Sequence, residues 1–266
     1  MRSDFATSLA CLLMAVGPAY AHSPFDLPAS TPSLDQTAVL PDAQATWVIY
    51  GLLAKPAQVD LIRLDNLDTS LSLSLQMEVF TRPVYATFAP TFAVLAKGLP
   101  APADPLPLTL PAGYGALVVP FQGDPAARTV TAYGTRVWWV GQSVDMPEVD
   151  TSSPVYLAVW DATGKTGEYS LAYSIDPDPD KADLEARYTD PLLGDGNEDG
   201  KVGVADAVLA LRLAVGLEAT TPRLLRTLDV WPARQGQLLQ GDGQISIADA
   251  LRLLRRAAGI EPDPFP

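Results

Sequence analysis

The chain has almost none of the two side chains that carry most nucleophilic and metal chemistry. Its 266 residues include one histidine, His22, and one cysteine, Cys11. A Ser-His-Asp or Cys-His nucleophile and a histidine-based zinc site need an imidazole or a thiol within the folded body of the protein. The sequence therefore excludes the commonest hydrolase mechanisms and leaves carboxylates as its main reactive groups.

Basic residues are also scarce. The chain has 18 lysines and arginines against 31 aspartates and glutamates, a formal net charge of −13. It lacks the positive field that neutralises phosphates, so neither a nucleic acid nor an anionic membrane is expected as a partner. Hydrophobic residues make up 48% of the chain, which is enough to build a core, and the acidic excess suits a protein that collects cations.

Residues 1–21 have the features of a signal peptide for export. Arg2 supplies a positive charge, residues 9–16 form a short apolar run, and residues 19–21 (Ala-Tyr-Ala) fit the small-x-small cleavage rule. The apolar run is too short to span a bilayer. Cleavage would remove Cys11, so the secreted, periplasmic or surface-bound protein would hold no disulfide and would depend on core burial or bound ions.

Residues 22–44 are rich in Pro, Ser, Thr and Asp and predict an extended leader, whereas residues 45–175 predict a β-domain. The clearest strand is 71–79, where apolar and polar residues alternate. About nine short strands separated by turn residues predict an all-β antiparallel sandwich. The Pro-rich stretch 99–111 predicts a long loop or a sheet edge. The other strand-length runs cover 46–53, 59–64, 116–121, 129–133, 136–140, 155–160 and 169–175.

The last two of these runs flank a glycine-containing loop, residues 161–167, and predict a hairpin. Their sequence, PVYLAVWDATGKTGEYSLAYS over 154–174, resembles the closing hairpin of small secreted β-sandwich domains, such as those appended to bacterial secreted peptidases. Beyond them, residues 176–191 begin with Asp-Pro-Asp-Pro-Asp, which is stiff and self-repelling. That composition indicates an acidic, proline-rich linker between two domains.

The last third of the chain contains an internal repeat. Residues 200–219 and 243–262 are identical at nine of twenty positions, and four more positions exchange one aliphatic residue for another. Because one such short unit cannot bury its apolar face alone, the two copies are expected to pack against each other. We expect a small helical domain over residues 192–266.

A calcium-loop pattern, Asp-x-Asn-x-Asp-Gly, precedes the first copy. Side-chain oxygens at loop places 1, 3 and 5 converge on one ion, a glycine at place 6 permits the sharp turn, and an acid at place 12 completes the set. Oxygen ligands without His or Cys favour Ca²⁺ over Zn²⁺. The predicted ligands are Asp195, Asn197, Asp199, Lys201 through its carbonyl, and Asp206.

The second copy departs from this spacing. Eleven residues before Asp249 stands Leu238, whose side chain carries no oxygen. We therefore expect Asp229 to be the first ligand, residues 233–240 to bulge out as an insertion, and the Trp231 carbonyl to replace the missing Asn. The predicted second calcium site comprises Asp229, Asp242, Gln244 and Asp249.

Residues 192–262 resemble a type I dockerin, the twin calcium-loop module of cellulosomes and related secreted proteins. The likeness includes Asp rather than Glu at place 12 and a helix after each loop. It implies a small all-α, EF-hand-like domain that docks in a calcium-dependent way to a cohesin-type partner. Where cellulosomal dockerins commonly carry Ser-Thr pairs, at places 10 and 11, this chain has Val204-Ala205 and Ile247-Ala248. A contact with the chain's own β-domain is therefore an alternative.

The two predicted helices differ on one face. In the second helix, Arg252, Arg255 and Arg256 are expected to face water. Leu209 and Leu213 of the first helix stand where the second has Arg252 and Arg256. We expect these two leucines to be covered by a partner or by the β-domain. The apolar stripe expected on the second helix contains Ala250, Leu251, Leu253, Leu254, Ala257 and Ala258.

Two further functions stay open for the β-domain. Glu78, Glu148 and Glu168 could supply a carboxylate pair for a glycosidase, although the sequence pairs none of them. Trp138 and Trp139 are adjacent on a strand and should face opposite sides, so that the outward ring could stack on a sugar or a partner.

The sequence as a whole predicts an exported, non-catalytic, calcium-binding protein that mediates attachment or assembly, in the setting of polysaccharide degradation. One alternative is a carbohydrate-binding or carbohydrate-active accessory protein that acts through the β-sandwich. In another, the calcium module is an internal stabiliser.

Overall fold

The computed structural model describes residues 23–28, 33–68, 70, 72–133, 136–176, 192–232 and 241–261. These residues are mostly β, with eleven strands and three α-helices. No described helix is long and apolar enough to cross a bilayer. The predicted signal peptide (1–21), most of the linker (177–191) and the insertion (233–240) lie outside the described residues. The elements are β1 (Ser23–Asp26), β2 (Ala38–Leu40), β3 (Trp47–Leu53), β4 (Val59–Leu64), β5 (Ser72–Phe80), β6 (Pro90–Lys97), β7 (Tyr114–Pro120), β8 (Thr129–Tyr133), β9 (Arg136–Asp145), β10 (Val155–Asp161), β11 (Gly167–Asp176), α1 (Val204–Ala214), α2 (Pro222–Leu228) and α3 (Ile247–Ala257).

The strands form two sheets that enclose one core. The six-stranded sheet has the order β1-β3-β11-β5-β9-β8, and the five-stranded sheet has the order β2-β4-β10-β6-β7. Most neighbours are antiparallel, but β1 pairs with β3 and β2 with β4 in parallel. The sheets are therefore mixed, which corrects the antiparallel prediction. The cause lies in the stretch predicted as a leader, 22–44, which contributes β1 and β2 as edge strands.

Alternation along the strands fills the space between the sheets. Leu73, Leu75, Met77 and Val79 of β5 are buried in this core, as the period-two pattern predicts. The predicted strands 59–64 and 129–133 have the observed bounds of β4 and β8.

Strand β6 is a central strand that the alternation pattern does not predict. Every residue from Pro90 to Ala96 is buried, because both faces of the strand are covered. Phe92 and Val94 face the core between the sheets, whereas Ala93 and Leu95 face an outer apolar layer. A strand covered on both sides reads as a continuous apolar run rather than as alternation.

The Pro-rich stretch 99–111 is a long loop, one of its two predicted forms. Leu106, Leu108 and Leu110 of this loop pack on the outer face of the five-stranded sheet. They cover residues such as Trp160 and Ala158 there, so the loop acts as an additional layer of the fold.

The predicted hairpin over 155–175 is wrong. Strands β10 and β11 belong to different sheets, and each is a central strand with a neighbour on both sides. Residues 161–167 therefore connect the two sheets. Asp161 shapes this crossing, since one carboxylate oxygen accepts hydrogen bonds from Thr163 and Lys165 and the other accepts one from the Ala89 amide.

Residues 192–232 and 241–261, the C-terminal helical segment, have a small core of their own. It lies between α1 and α3 and is closed by α2, which the repeat did not predict. Helix α2 begins at Pro222 with the Thr221 hydroxyl accepting from the Leu224 amide. The buried members of this core are Ala207, Ala210, Leu213, Leu228, Val230, Ala250 and Leu253.

Glu78 lies on the outer face of the six-stranded sheet and is nearly fully buried. Its carboxyl oxygen accepts a hydrogen bond of 2.7 Å from the Ser170 hydroxyl on the neighbouring strand. Burial raises the pKa of Glu78 to about 7, while the Ser170 hydroxyl acts in the opposite direction. The folded chain thus holds Glu78 protonated at a pH at which the unfolded chain ionises it.

We predict that Glu78→Gln removes a pH dependence of stability. In the unfolded chain Glu78 ionises above about pH 4.5 and in the folded chain only near 7, so the wild-type free energy of unfolding falls as the pH rises between these values. The fall is up to about 3 kcal/mol. Glutamine accepts the same Ser170 hydrogen bond without ionising. Urea unfolding of both proteins at pH 5 and pH 8 measures the difference, and a constant gap between the two proteins would contradict the raised pKa.

Candidate metal centre

Loop 1 (residues 195–206) is closed by the carboxylate at its last place. Asp206 is fully buried. One of its oxygens accepts from the amides of Gly196 (2.8 Å) and Asn197 (3.2 Å), and the other accepts from the Gly203 amide at 2.8 Å. The side chain at place 12 therefore ties the start of the loop to the start of α1.

Asp195, at place 1, has one buried oxygen without a partner. Its side chain is 5% exposed, and its Oδ2 accepts from the Gly200 amide at 2.9 Å. Its Oδ1 is buried and makes no hydrogen bond. Because a buried carboxylate oxygen needs a donor or a cation, this orphaned oxygen fits a metal ligand.

The other predicted ligands of loop 1, Asn197, Asp199 and Lys201, are exposed. Asn197 accepts from the Asp199 amide, and Asp199 accepts from the Lys201 amide, so both side chains shape the turn. Gly200 has a φ of +82°, the left-handed conformation that place 6 requires. Among the described residues, no three His, Cys, Asp or Glu side chains converge tightly enough to form a metal-binding group. Calcium binding requires Asp195, Asp199 and Asp206 to turn from the loop amides toward one point.

Loop 2 (residues 229–232 and 241–249) repeats the bonding of loop 1. Asp249 accepts from the amides of Val230 and Trp231 with one oxygen and from Ser246 with the other, as Asp206 does in loop 1. Asp229 accepts from the Gly243 amide at 2.7 Å, as Asp195 does from Gly200. The structure thus places Asp229 at the first position, nine residues further from the loop end than standard spacing allows.

Loop 2 nevertheless differs from loop 1 at the positions of the predicted calcium ligands. Trp231 stands where loop 1 has Asn197, and Asp242 and Gln244 are exposed. Both oxygens of Asp229 are occupied, one by the Asp242 amide and the other by the Gly243 amide and the Arg82 guanidinium. Burial raises the pKa of Asp229 to about 7, and the positive charge of Arg82 opposes that rise.

Arg82 comes from the β-sandwich, so loop 2 lies at a junction. Around loop 2 lies a cluster of charged side chains from both parts of the chain, all of them buried except the half-buried Asp26. Glu168 of β11 lies between two guanidinium groups, 4.0 Å from Arg82 and 3.8 Å from Arg226 of α2. Arg226 also pairs with Asp26 at 2.7 Å and lies over the Tyr50 ring at 3.7 Å. The cluster consists of Asp26, Arg82, Glu168, Arg226 and Asp229.

Sequence reasoning missed this cluster because its members are far apart in the chain. Arg82 and Asp229 are separated by 147 positions, and Arg226 and Asp26 by 200. From the sequence, Glu168 is a candidate only for a catalytic acid. The only local signal was an arginine within an apolar run, between Leu225 and Thr227.

The predicted partner face on Leu209 and Leu213 is occupied within the helical segment itself. Leu213 is buried in the small core, and Leu209 packs against it. Arg252, expected to face water, is buried and bonds the Val230 carbonyl and Glu261. Because the helices pair through these faces, the exposed apolar stripe lies elsewhere. It comprises Val204, Val208 and Leu211 on α1, Val215 directly after α1, and Ile247, Leu251 and Leu254 on α3.

The tryptophan pair faces opposite sides of its strand, as alternation predicts. By register, Trp138 shares the outer face of the six-stranded sheet with Phe80, and Trp139 shares the inner face with Val79. Trp138 is 3% exposed because it stacks on Phe80 at 3.6 Å. Trp139 is half-buried, with the Arg128 guanidinium 4.8 Å from its ring. Trp138, the ring on the outer face, is therefore buried and presents no open face for stacking on a sugar.

The three carboxylates considered for a glycosidase lie in different settings. Glu78 is buried against Ser170, and Glu168 is buried between two arginines. Glu148 is exposed in the connection after β9.

A scan of the chain against protein-family models gives no match, and a search of curated proteins finds no relative at a significant level.

We predict that calcium stabilises the chain through Asp195. A calcium concentration of 100 times the Kd should raise the free energy of unfolding by about 2.7 kcal/mol. Asp195→Asn should lose that gain, since it replaces the anionic oxygen that has no partner. The measurement is urea unfolding in calcium and in chelator. The control is Asp104→Asn, an exposed carboxylate in the Pro-rich loop, which should keep the full gain. Equal calcium effects in the two variants would contradict the assignment.

Proposed function

We propose that this chain is an exported, non-catalytic attachment protein whose C-terminal helical segment binds calcium in loop 1 and docks to a protein partner. The observation that carries the proposal is the repeat. Two loop-helix units share one hydrogen-bond pattern and present matching apolar positions at their surface. The cohesin-type partner comes from the dockerin-like sequence of residues 192–262.

The orphaned oxygen of Asp195 supports calcium as the ligand. It lies in a loop whose other predicted acidic ligands, Asp199 and Asp206, are within the same twelve residues. Hard oxygen donors and a net charge of −13 favour a divalent cation such as calcium. Calcium would supply the charge that holds loop 1 closed, and Asp206 would fix the beginning of α1 relative to it.

The exposed apolar stripes support a protein as the partner. Val204 and Ile247 are equivalent positions of the repeat, as are Val208 and Leu251. These four side chains are exposed by 50% or more. A matched pair of apolar rows on neighbouring helices is an extended hydrophobic patch, which on a soluble protein indicates a contact surface.

The decisive experiment measures docking to purified cohesin-type domains. We expect at least one such domain to bind the full chain in calcium and to dissociate in chelator. Val208→Asp together with Leu251→Asp should weaken binding at least about tenfold, because the new charges lie within the apolar rows. The affinities are measured by surface plasmon resonance against a panel of such domains.

The matched control is Val130→Asp, which adds the same charge at a 58% exposed valine of the β-sandwich. It should bind as the wild type does. Binding that persists in chelator, equal loss in the control, or no binding to any domain of the panel would contradict the proposed function.

A further inference from the structure

The two loops treat their first carboxylate differently. In loop 1, Asp195 keeps a buried oxygen without a hydrogen bond. In loop 2, the equivalent Asp229 is 1% exposed, and its two oxygens receive two loop amides and the Arg82 guanidinium. In loop 2, a side chain from the β-sandwich therefore bonds the carboxylate that would bind the metal in a calcium loop.

We propose that the Arg82 guanidinium is the resident cation of loop 2, so that this loop joins the helical segment to the β-sandwich and takes no calcium. Arg82 is 4% exposed and lies two residues after the end of β5. The residues of loop 2 fit calcium less well than those of loop 1. Trp231 offers no side-chain oxygen at place 3, and Asp229, unlike Asp195, has both carboxylate oxygens engaged. This inference is independent of loop 1.

A second arginine crosses the junction in the opposite direction. Arg226 of α2 reaches Asp26 of β1, while Arg82 reaches loop 2. Glu168 lies between the two guanidinium groups. Each part of the chain thus supplies a cation to the other, which fixes their relative orientation in a way that one ion pair does not.

Close packing at one glycine supports the same joint. Gly200 and Gly243 occupy place 6 of the two loops, with φ of +82° and +96°. A Cβ at Gly200 would meet nothing within 4 Å, whereas one at Gly243 would lie 2.9 Å from the Tyr85 hydroxyl and 3.0 Å from Val84. Loop 2 therefore rests directly on the segment that follows Arg82.

The first test is calcium stoichiometry, with calcium as the probe and the full chain freed of metal by a chelator. Titration calorimetry should show one binding event that Asp195→Asn removes and Asp229→Asn leaves in place. A second event that Asp229→Asn removes would overturn the proposal.

The second test is a double-mutant cycle in chelator. Arg82→Met and Asp229→Asn should be non-additive by at least about tenfold in the unfolding constant, because each removes the same contact. Arg128→Met is the matched control: Arg128 is equally a buried arginine of the sandwich, but it bonds the carbonyls of Gln122, Tyr85 and Phe88. Its effect should add to that of Asp229→Asn. Additive effects of Arg82→Met and Asp229→Asn would overturn the proposal that Arg82 joins loop 2 to the sandwich.

A glycine pair covers the case in which Arg82→Met does not fold. In chelator, Gly243→Ala should lower the urea midpoint more than Gly200→Ala, since both alanines bear the same backbone strain but only one meets the sandwich. Equal shifts would overturn the proposal. Non-additivity in the cycle without any calcium event would contradict calcium binding in loop 1 and still support the joint.

Discussion

The position of the helical segment depends on a glutamate that is fully buried, Glu168. An ionised carboxylate is costly to remove from water, and the two guanidinium groups beside it offset that cost. One of them, Arg82, belongs to the sandwich and the other, Arg226, to α2. Because neither arginine could be withdrawn without leaving buried charge behind, the two parts of the chain are held in one arrangement. Replacing a whole buried ion pair by apolar residues is often neutral, whereas removing one partner alone is strongly destabilising.

The two copies of the repeat therefore differ in what lies beside their first carboxylate. Loops 1 and 2 retain one backbone scheme, in which the acid at the last place binds the amides at the beginning. The two loops differ in whether a cationic side chain bonds the first carboxylate. Asp195 has an oxygen with no partner, whereas Asp229 has a guanidinium from 147 positions away. Once an arginine supplies the positive charge, the loop no longer needs an Asn at place 3. This explains how Trp231 and an insertion between Pro232 and Gly241 can be accommodated there.

Much of the fold and of the candidate site can be predicted from the sequence, and the remaining predictions fail for physical reasons. Local patterns predicted β4, β8 and the equivalence of Asp229 to Asp195, since each depends on neighbouring residues. The sequence does not predict strand β6, because both of its faces are covered and its residues do not alternate. The hairpin prediction is wrong because β10 and β11 each pair with two other strands. Arg252 was expected at the surface from its charge, yet the Val230 carbonyl and Glu261 bury it. Arg82 and Arg226 could not be assigned at all, because their partners are brought near only by the tertiary fold.

The joint and the exposed apolar rows use different surfaces of the helical segment. Loop 2 and α2 face the sandwich, whereas Val208 and Leu251 remain exposed on α1 and α3. A segment fixed to a rigid sandwich loses less orientational freedom on docking than one on a flexible tether. The exposed apolar rows, which we propose as the docking surface, are thus held in place by charges that lie away from them. Loop 1, which the joint leaves untouched, keeps the carboxylate oxygen of Asp195 that has no hydrogen-bond partner.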